Sequence, residues 1–247
     1  TQGGMMEKEP TPLLLSIVIP ALDAGTHLDA CLDALRDGHK AALDSGMDAP
    51  ETEVIIADGG SVDDTMAIAQ RRRLRIIPTP RGRGPQLAAG ARAAAGDWLL
   101  FLHADTRLAM GWMAAVAGFV NNPANQNAAA AFRFALDDES PAARWLERLV
   151  AWRCRVLALP YGDQGLLIPR RLYEALGGYG AEPLMEDVAL VSAIGRARLR
   201  FLDVPAVTSA ARYRSGGYIL RPMRNLSCLG LYFLGLPTTL IARLYGR

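Results

Sequence analysis

The fold is decided by the apolar run Leu13-Leu14-Leu15-Ser16-Ile17-Val18-Ile19, which stops at Pro20. A run of this length without polar alternation is typical of a strand that is buried on both faces. Glu53-Val54-Ile55-Ile56-Ala57 repeats the pattern and ends at Asp58. Between the two runs, apolar residues recur at helical spacing from Leu28 to Leu35. These patterns predict strand, helix and strand in this order.

Strand and helix signals keep alternating along the chain. We predict helices at 63–73 and 86–95 and strands at 75–77 and 98–102. Hydrophobic strands that alternate with helices predict a mostly parallel central sheet flanked by helices, an α/β fold with a Rossmann-like half. The second half is predicted to contain strands at 128–136, 164–168 and 199–204 and helices at 141–159, 170–176 and 186–197.

The composition predicts a globular protein and excludes some partners. Of the 247 residues, 51% are apolar and 21% are charged, which favours a large core over disorder. The formal net charge of +2 is too small to predict nucleic acid as a partner. Three widely spaced cysteines fit neither a zinc site nor a disulfide framework, so we expect a reducing, cytoplasmic location.

Neither apolar stretch of the sequence predicts a membrane span. The run from Leu13 to Leu22 lacks a basic flank and is shorter than the roughly 20 residues that cross a bilayer. The stretch from Leu226 to Ile241 is interrupted by two glycines and a proline. We expect at most a peripheral contact of this stretch with the inner face of a membrane. Residues 1–12 are expected to form a flexible N-terminus, in part a tag remnant.

Polar side chains follow the ends of the predicted strands. In such sheets ligands bind beyond the carboxyl ends of the strands, so polar residues there carry more weight than elsewhere. Asp58 is followed by Gly59-Gly60, which would let a flat nucleoside approach the backbone closely. This clustering predicts one ligand site at that edge of the sheet. The other polar residues at or just after strand ends are Asp23, Arg81, Arg83, His103 and Asp105.

One turn, Arg81-Gly82-Arg83-Gly84-Pro85-Gln86, places two cationic side chains and exposed amides beside a helix start. This combination suits a diphosphate. The turn is not a Walker loop, because no Gly-Lys-Ser/Thr follows it, and it does not follow the first strand as a dinucleotide turn does. A mobile surface loop is the alternative interpretation.

His103-Ala104-Asp105 follows the fourth predicted strand. A hard divalent cation such as Mn²⁺ or Mg²⁺ prefers oxygen ligands and keeps positions open for phosphate oxygens. One or two side-chain ligands on a turn leave those positions open, so we predict a metal site here. The alternative is that Asp105 caps a helix that begins near Met110 and that His103 is packed.

The pair Glu186-Asp187 opens a predicted helix in the second half. A hydroxyl that attacks a carbon must lose its proton, and a positioned carboxylate can accept it. The pair is therefore a candidate general base. Acidic residues are also common at helix N-termini, where the helix dipole favours them, so the residues alone leave both explanations open.

Six motifs occur in order along nearly the whole chain, from about Leu13 to Tyr245. They are Ser16-Ile17-Val18-Ile19-Pro20-Ala21, Ala57-Asp58-Gly59-Gly60-Ser61-Val62-Asp63, Arg81-Gly82-Arg83, Phe101-Leu102-His103-Ala104-Asp105, Tyr161-Gly162-Asp163-Gln164-Gly165 and Glu186-Asp187. The series resembles family 2 glycosyltransferases of the GT-A fold, and most closely the compact bacterial members without membrane helices. The resemblance implies inverting sugar transfer from a UDP- or GDP-linked sugar to an acceptor hydroxyl, assisted by Mn²⁺ or Mg²⁺.

The resemblance also implies roles for single residues. Asp105 would bind the metal where the family has its Asp-X-Asp motif, and Asp187, or Glu186 beside it, would be the general base. The residues implied to contact the nucleotide sugar are Pro20, Ala21, Asp23, Asp58, Arg81, Arg83, Gln86, His103 and Ala104. Those implied to line the acceptor or donor-sugar pocket are Asp163, Gln164 and Gly165.

Two features depart from the family's pattern. His103 replaces the first Asp of Asp-X-Asp. The Gln-X-X-Arg-Trp motif of processive synthases is absent, and Arg212-Tyr213-Arg214 occupies a comparable late position. We therefore expect the transfer of a single sugar, with Arg212 or Arg214 as a candidate to neutralise the leaving diphosphate.

No linker separates the two halves, so we expect one domain at 13–247. Its nucleotide-sugar-binding lobe is expected at 13–108 and its acceptor-binding lobe at 109–247. A nucleotidyltransferase of related fold is one alternative, but the turn after the first strand has no cation. A non-catalytic nucleotide- or sugar-binding protein is another, and it would not need both Asp105 and the acidic pair. The sequence leaves the donor sugar, the acceptor and homodimer formation open.

Overall fold

A computed structural model describes residues 13–245 and joins their strands in one eight-stranded sheet. The strands are β1 (Leu14–Ala21), β2 (Glu51–Asp58), β3 (Arg75–Pro78), β4 (Trp98–Phe101), β5 (Thr106–Leu108), β6 (Ala129–Leu136), β7 (Leu166–Pro169) and β8 (Leu199–Thr208). They lie in the order β3-β2-β1-β4-β7-β6-β8-β5. Four of the seven neighbouring pairs are parallel, which confirms the mostly parallel sheet.

Helices cover both faces of this sheet. They are α1 (Gly25–Asp44), α2 (Thr65–Arg71), α3 (Arg83–Ala93), α4 (Trp112–Val120), α5 (Pro141–Leu157), α6 (Arg170–Ala175), α7 (Glu186–Ile194), α8 (Ala211–Gly216), α9 (Leu220–Phe233) and α10 (Thr238–Tyr245). Short 3₁₀ turns at Pro123–Asn125, Gly162–Gln164 and Arg196–Arg198 complete the described secondary structure.

Successive residues of β1 point to opposite faces of the sheet, and both faces are covered. Ile17 and Ile19 pack in one core with Leu28 of α1, whereas Val18 packs in a second core with Leu87 of α3. All five side chains are at most 1% exposed. Burial of each such side chain is worth roughly 1.5–3 kcal/mol, so the apolar run also holds β1 in the interior of the sheet.

The chain crosses the sheet immediately after β4. β4 pairs with β7 near the centre, but β5, only four residues later, pairs with β8 at the edge. Thr106 lies opposite Thr208 there, and their hydroxyls are 2.9 Å apart. Residues 102–105 therefore run across the strand ends, which places His103 and Asp105 beside elements from both halves.

The three-residue strand β5 corrects one alternative from the sequence. A helix that begins near Met110 with Asp105 as its cap is wrong, because Thr106–Leu108 is a strand and α4 begins at Trp112. Gly111 precedes α4 with φ of 88°, a left-handed conformation that glycine adopts without strain. Asp105 is thereby left available for another role.

The apolar stretch near the C-terminus is broken by a turn. α9 ends at Phe233 and α10 begins at Thr238, with Gly235 between them at φ of 83°. Within residues 13–245, no helix is long and apolar enough to span a bilayer. All three cysteines are buried and unpaired. The expectation for residues 1–12 lies outside the described residues.

Candidate active site

The carboxyl ends of β1 and β4 and the start of α3 border one cleft of about 550 Å³. We call it the strand-end cleft. The predicted site residues that line it are Pro20, Asp23, Arg81, Arg83, Gln86, His103, Ala104, Asp105 and Arg212. The polar residues that follow separate strands in the sequence thus meet at one edge of the sheet.

A smaller pocket of about 160 Å³ adjoins the strand-end cleft. We call it the acid pocket, because Asp163, Glu186 and Asp187 line it. The two spaces share four lining residues: Arg83, His103, Asp105 and Arg212. A ligand that fills the cleft can therefore present one end to the acid pocket.

The turn from Arg81 to Gln86 is not a free loop. α3 begins at Arg83, directly after Gly82 with φ of 138°. The Gln86 side chain is buried, and its Nε2 donates hydrogen bonds to the carbonyl oxygens of Ala21 at 2.6 Å and Ala57 at 2.8 Å. Gln86 therefore clamps the ends of β1 and β2 together, a positioning role that its place in the motif did not predict.

The Asp58 carboxylate accepts hydrogen bonds from the turn that follows β2. Its Oδ2 accepts from the Gly60 amide at 2.9 Å, and its Oδ1 accepts from the Ser61 hydroxyl at 2.5 Å. Asp58 is buried and is not among the described residues that line the cleft. Ala21 is likewise buried, and its carbonyl oxygen accepts from the Gly59 amide at 2.9 Å. Both residues therefore support the cleft wall without lining the cleft.

Asp23 holds the other wall of the cleft. Its backbone lies in the left-handed region at φ of 49°. Its Oδ1 accepts from the Val62 amide at 2.9 Å, and its own amide donates to the Ser61 hydroxyl at 3.0 Å. These bonds join the loops that follow β1 and β2 into one wall of the cleft.

Arg212 and Arg214, two residues apart, have different surroundings. Arg212 Nη2 lies 3.7 Å from Asp105 Oδ2, at the junction of the cleft and the acid pocket. Arg214 instead pairs with Asp138 at 3.0 Å and with Asp137 at 3.4 Å. Arg214 is not among the described residues that line either space, so only Arg212 can reach a diphosphate there.

His103 is half-buried, and its imidazole is neutral. Burial and, to a lesser extent, the nearby Arg83 and Arg212 guanidinium groups hold its pKa well below the ordinary value. Its Nε2 is buried and has no hydrogen-bond partner within residues 13–245. The lone pair or proton on this nitrogen therefore remains for a ligand or a metal ion.

The acidic pair at the start of α7 is buried. Met185 precedes it in a left-handed conformation at φ of 68°, which turns both carboxyl groups inward. Arg83 Nη1 donates to Glu186 Oε1 at 3.3 Å and lies 3.9 Å from Asp187 Oδ2. Burial, followed by repulsion from Glu186, raises the pKa of Asp187 to about 7, although Arg83 opposes the shift. A carboxyl group that exchanges a proton near neutral pH is suited to acid–base chemistry.

Gly162 brings the two sides of the acid pocket together. A Cβ atom at this position would lie 2.5 Å from both His103 Nε2 and Asp187 Oδ2. Asp187 Oδ2 accepts from the Gly162 amide at 3.1 Å, whereas its Oδ1 is buried without a partner among the described residues. Any side chain at 162 would fill the space between the imidazole and the carboxylate.

The three residues after Gly162 divide between two roles. Asp163 lines the acid pocket, and burial raises its pKa to about 6, against the attraction of Arg153. Gln164 is buried and donates to the Phe132 carbonyl oxygen at 2.9 Å. Gly165 has φ of 64°, and a Cβ atom at this position would lie 3.2 Å from the Phe132 ring. Gln164 and Gly165 are not among the described residues that line the cleft or the acid pocket. Their role is to fix the turn that presents Asp163.

Asp105 and His103 could hold a divalent cation together with ligand oxygens. The Asp105 side chain is 17% exposed and lines both spaces. Among the described residues, no group of three or more His, Cys, Asp or Glu side chains could hold a metal ion by itself. One carboxylate and one neutral imidazole leave several positions for phosphate oxygens and water, which Mn²⁺ and Mg²⁺ accept.

The sequence also missed two aromatic residues of the acid pocket. Tyr161 and Tyr213 line it. The Arg153 guanidinium lies 3.6 Å from the centre of the Tyr161 ring, and Tyr213 stacks on Tyr218. The position of Tyr161 beside Gly162 in the motif could have predicted its place in the pocket. No local pattern could have done so for Tyr213, which reaches the pocket only through the tertiary fold.

Sequence comparison finds related proteins over part of the chain. A model of the family described as glycosyl transferase family 2 matches residues 16–164. PGL/p-HBAD biosynthesis glycosyltransferases of Mycobacterium bovis and Mycobacterium tuberculosis are 32% identical over 115 residues, or 43% of this chain. The matched part spans only 41% of the length of these curated relatives.

Solved structures resemble the whole fold at low sequence identity. S. aureus TarS in complex with UDP has a TM-score of 0.60 and 15% identity, over 82% of this chain and 63% of that chain. Glucosyl-3-phosphoglycerate synthase from Mycobacterium tuberculosis with Mn²⁺, UDP and glucosyl-3-phosphoglycerate has a TM-score of 0.57 and 18% identity. That match covers 91% of this chain and 81% of that chain. These likenesses confirm the GT-A fold.

Proposed function

Because this chain belongs to glycosyltransferase family 2, we propose that it transfers one sugar from a nucleoside-diphosphate sugar to an acceptor hydroxyl, with inversion and divalent-metal assistance. The observation that carries the proposal is the junction between the strand-end cleft and the acid pocket. Asp105 and His103 lie at this junction, and Asp187 lies in the acid pocket beyond it. Family membership sets aside the nucleotidyltransferase and the non-catalytic binding protein.

The strand-end cleft is proposed to bind the nucleotide. Pro20 and Asp23 would border the base, while Arg81 and Arg212 supply cations for the diphosphate. Asp58 and Gln86 would act indirectly, because their polar atoms already hold the cleft wall. A uridine donor is favoured over a GDP-linked one, since similar folds were solved with UDP, UDP-GlcNAc and UDP-glucose.

Asp105 is the proposed protein ligand of Mn²⁺ or Mg²⁺, with His103 as a second ligand or as a donor to phosphate. The bound cation would supply charge neutralisation for the departing diphosphate. Arg212, 3.7 Å from Asp105, would contribute a fixed positive charge at the same place.

The proposed chemistry is a single displacement. Asp187 takes the proton from the acceptor hydroxyl, whose oxygen forms a bond to the anomeric carbon. The bond between that carbon and the diphosphate oxygen breaks, and its electron pair leaves with the nucleoside diphosphate. Attack from the face opposite the leaving group inverts the anomeric centre. Arg83 would hold Glu186 and Asp187 in place through its contacts at 3.3 and 3.9 Å.

We propose that the two lobes predicted from the sequence bind different substrates. Residues within 13–108 would bind the donor, and residues within 109–247 would bind the acceptor. Most of the cleft lining comes from the first range, and most of the acid-pocket lining from the second. We also propose a reducing, cytoplasmic location on the basis of the three unpaired cysteines.

Thermal unfolding with nucleotides tests the donor side. UDP with Mn²⁺ at about 100 times its dissociation constant should stabilise the protein by about 2.7 kcal/mol, or roughly 5–10 °C in Tm. UDP alone should give a smaller shift, and the additional effect of Mn²⁺ should disappear in Asp105→Asn. The absence of a shift with every nucleoside diphosphate would refute the proposal.

A further inference from the structure

A third space opens from the acid pocket between α5 and α9. This cavity has a volume of about 340 Å³ and is lined mostly by apolar side chains, among them Trp145, Trp152, Met223 and Leu226. We call it the apolar cavity. The residues that line both it and the acid pocket are Tyr161, Asp163, Tyr213 and Asn225. The strand-end cleft, the acid pocket and the apolar cavity therefore form a continuous series.

Two polar side chains that line the apolar cavity, Arg153 and Asn225, already have hydrogen-bond partners. Arg153 Nε donates to the Leu159 carbonyl oxygen at 2.9 Å, and its Nη2 donates to Gln164 Oε1 at 3.3 Å. Asn225 Oδ1 accepts from the Tyr245 hydroxyl at 3.1 Å. These bonds leave the cavity suited to an uncharged, apolar group, as most small-molecule sites are.

The size of the cavity limits what it can hold. A cavity of about 150 Å³ accepts benzene, so 340 Å³ has room for about two six-membered rings or an equivalent branched chain. Met223 and Leu226 are 61% and 62% exposed at its rim, so a ligand can enter from the surface. Exposed apolar side chains around a concave site are typical of ligand-binding surfaces.

Asp163 stands at the boundary between the apolar cavity and the acid pocket. Its Oδ1 is buried and lacks a hydrogen-bond partner in the described part of the chain. An alcohol whose apolar body fills the cavity would place its hydroxyl at this boundary. There the hydroxyl can donate to Asp163 before it loses its proton to Asp187.

We propose that the acceptor is an amphiphile, an uncharged alcohol whose apolar body of about two rings occupies the apolar cavity. This inference rests on the proposed glycosyl transfer and names the acceptor class for the same site. The alcohol oxygen forms the bond to the anomeric carbon, Asp187 receives its proton, and the nucleoside diphosphate leaves with the bonding electron pair. Asp163 is a positioning residue for the hydroxyl.

Binding of 2-naphthalenemethanol, two fused rings with a primary alcohol, tests the inference by calorimetry on the full chain with UDP and Mn²⁺. Leu226→Glu and Met223→Glu each place a charge at the cavity rim and should weaken binding at least tenfold. Leu220→Glu is the matched control, because Leu220 is on the same helix, is 73% exposed and is not among the described residues lining the cavity. The affinity of the Leu220→Glu variant for the alcohol should stay within twofold of that of the unaltered protein.

UDP binding is measured in the same samples and should be equal in all four proteins. Equal alcohol affinity in all four, or no alcohol binding while UDP binds, would overturn the acceptor assignment alone. Failure of the unaltered protein to bind UDP would instead reject the proposed function. The analogue 2-methylnaphthalene lacks the hydroxyl and should bind at least threefold more weakly than the alcohol. Equal affinity for the two compounds would contradict the placement of the hydroxyl beside Asp163.

Discussion

The strand-end cleft and the acid pocket are neighbours but are built differently. In the wall of the cleft, Gln86 and, behind it, Asp58 have polar atoms that are bonded to the backbone of β1, β2 and the turn after β2. In the acid pocket, buried atoms of His103, Asp163 and Asp187 lack partners, three of the five such side-chain atoms within residues 13–245. Each unpartnered buried polar group costs about 1–3 kcal/mol. One further such atom, Oε2 of Glu182, belongs to a residue that lines the cleft. The hydrogen-bonded frame thus lies in the cleft wall, and most of the unpartnered polar atoms lie in the pocket.

Loss of the proposed base should have the largest effect. Asp187→Asn keeps the side-chain size, and its amide oxygen can still accept from Gly162, but it cannot take a proton. We expect kcat to fall about 10²–10⁴-fold, the usual contribution of general acid–base catalysis, with donor affinity unchanged. Steady-state transfer assays check this, with Glu174→Gln on the surface of α6 as the matched carboxylate control. Transfer within tenfold of the unaltered enzyme would remove Asp187 from its role.

Loss of the Gln86 clamp should affect the frame and not the chemistry. Gln86→Leu removes two buried hydrogen bonds, to the Ala21 and Ala57 carbonyl oxygens, worth about 0.5–1.5 kcal/mol each, while the Ala21 oxygen keeps its bond from the Gly59 amide. The free energy of unfolding should drop by about 1–3 kcal/mol in urea titrations. Asn125→Leu removes one partly buried hydrogen bond far from the cleft and should cost about 1 kcal/mol. Equal losses in the two variants would contradict the clamp.

The two late arginines should differ although they are two residues apart. Arg212→Ala removes the cation beside Asp105 and should reduce kcat/KM about tenfold or more. Arg214→Ala breaks surface pairs with Asp137 and Asp138 and should leave kcat/KM within twofold. Kinetics of both variants with one donor and acceptor make the comparison. Similar losses would place both side chains in the site.

The last comparison concerns stability as a function of pH, where activity is not measured. Because the pKa of Asp187 is about 7 in the folded chain and about 3.9 in an unfolded one, the folded state holds the proton more tightly between these values. The carboxyl group therefore costs stability as pH rises through this window, and the full cost is present above pH 7. Asp187→Asn should have a higher Tm than the unaltered protein at pH 8, with the gap closing towards pH 4. A gap that is constant with pH would contradict the raised pKa.

The sequence predicted the cleft better than the pocket for a physical reason. Buried parallel strands have a strong local signal, and their carboxyl ends converge by geometry, so Asp23, Arg83 and Asp105 could be placed together. The three-residue strand β5 has too few residues to show a period, yet its pairing with β8 carries Asp105 across the sheet. That crossing depends on contacts between distant parts of the chain.

Sequence motifs do not predict which of several neighbouring side chains faces the site, as positions 163 to 165 and 212 to 214 show. Asp163 faces the acid pocket while Gln164 bonds the Phe132 carbonyl oxygen, because the 3₁₀ turn sends neighbouring side chains in different directions. The same holds for Arg212 and Arg214 around α8. Residues of α5 and α9 line the apolar cavity, so neither helix sequence predicts it alone.

The central claim is a division of labour between the cleft, with Asp105, and the pocket, with Asp187. Calorimetric titration of UDP, with and without Mn²⁺, into the unaltered protein, Asp105→Asn and Asp187→Asn tests it most directly. In Mn²⁺, we expect UDP affinity to fall at least tenfold for Asp105→Asn and to stay within twofold for Asp187→Asn. Unchanged affinity in Asp105→Asn, or an equal loss in both variants, would contradict the division.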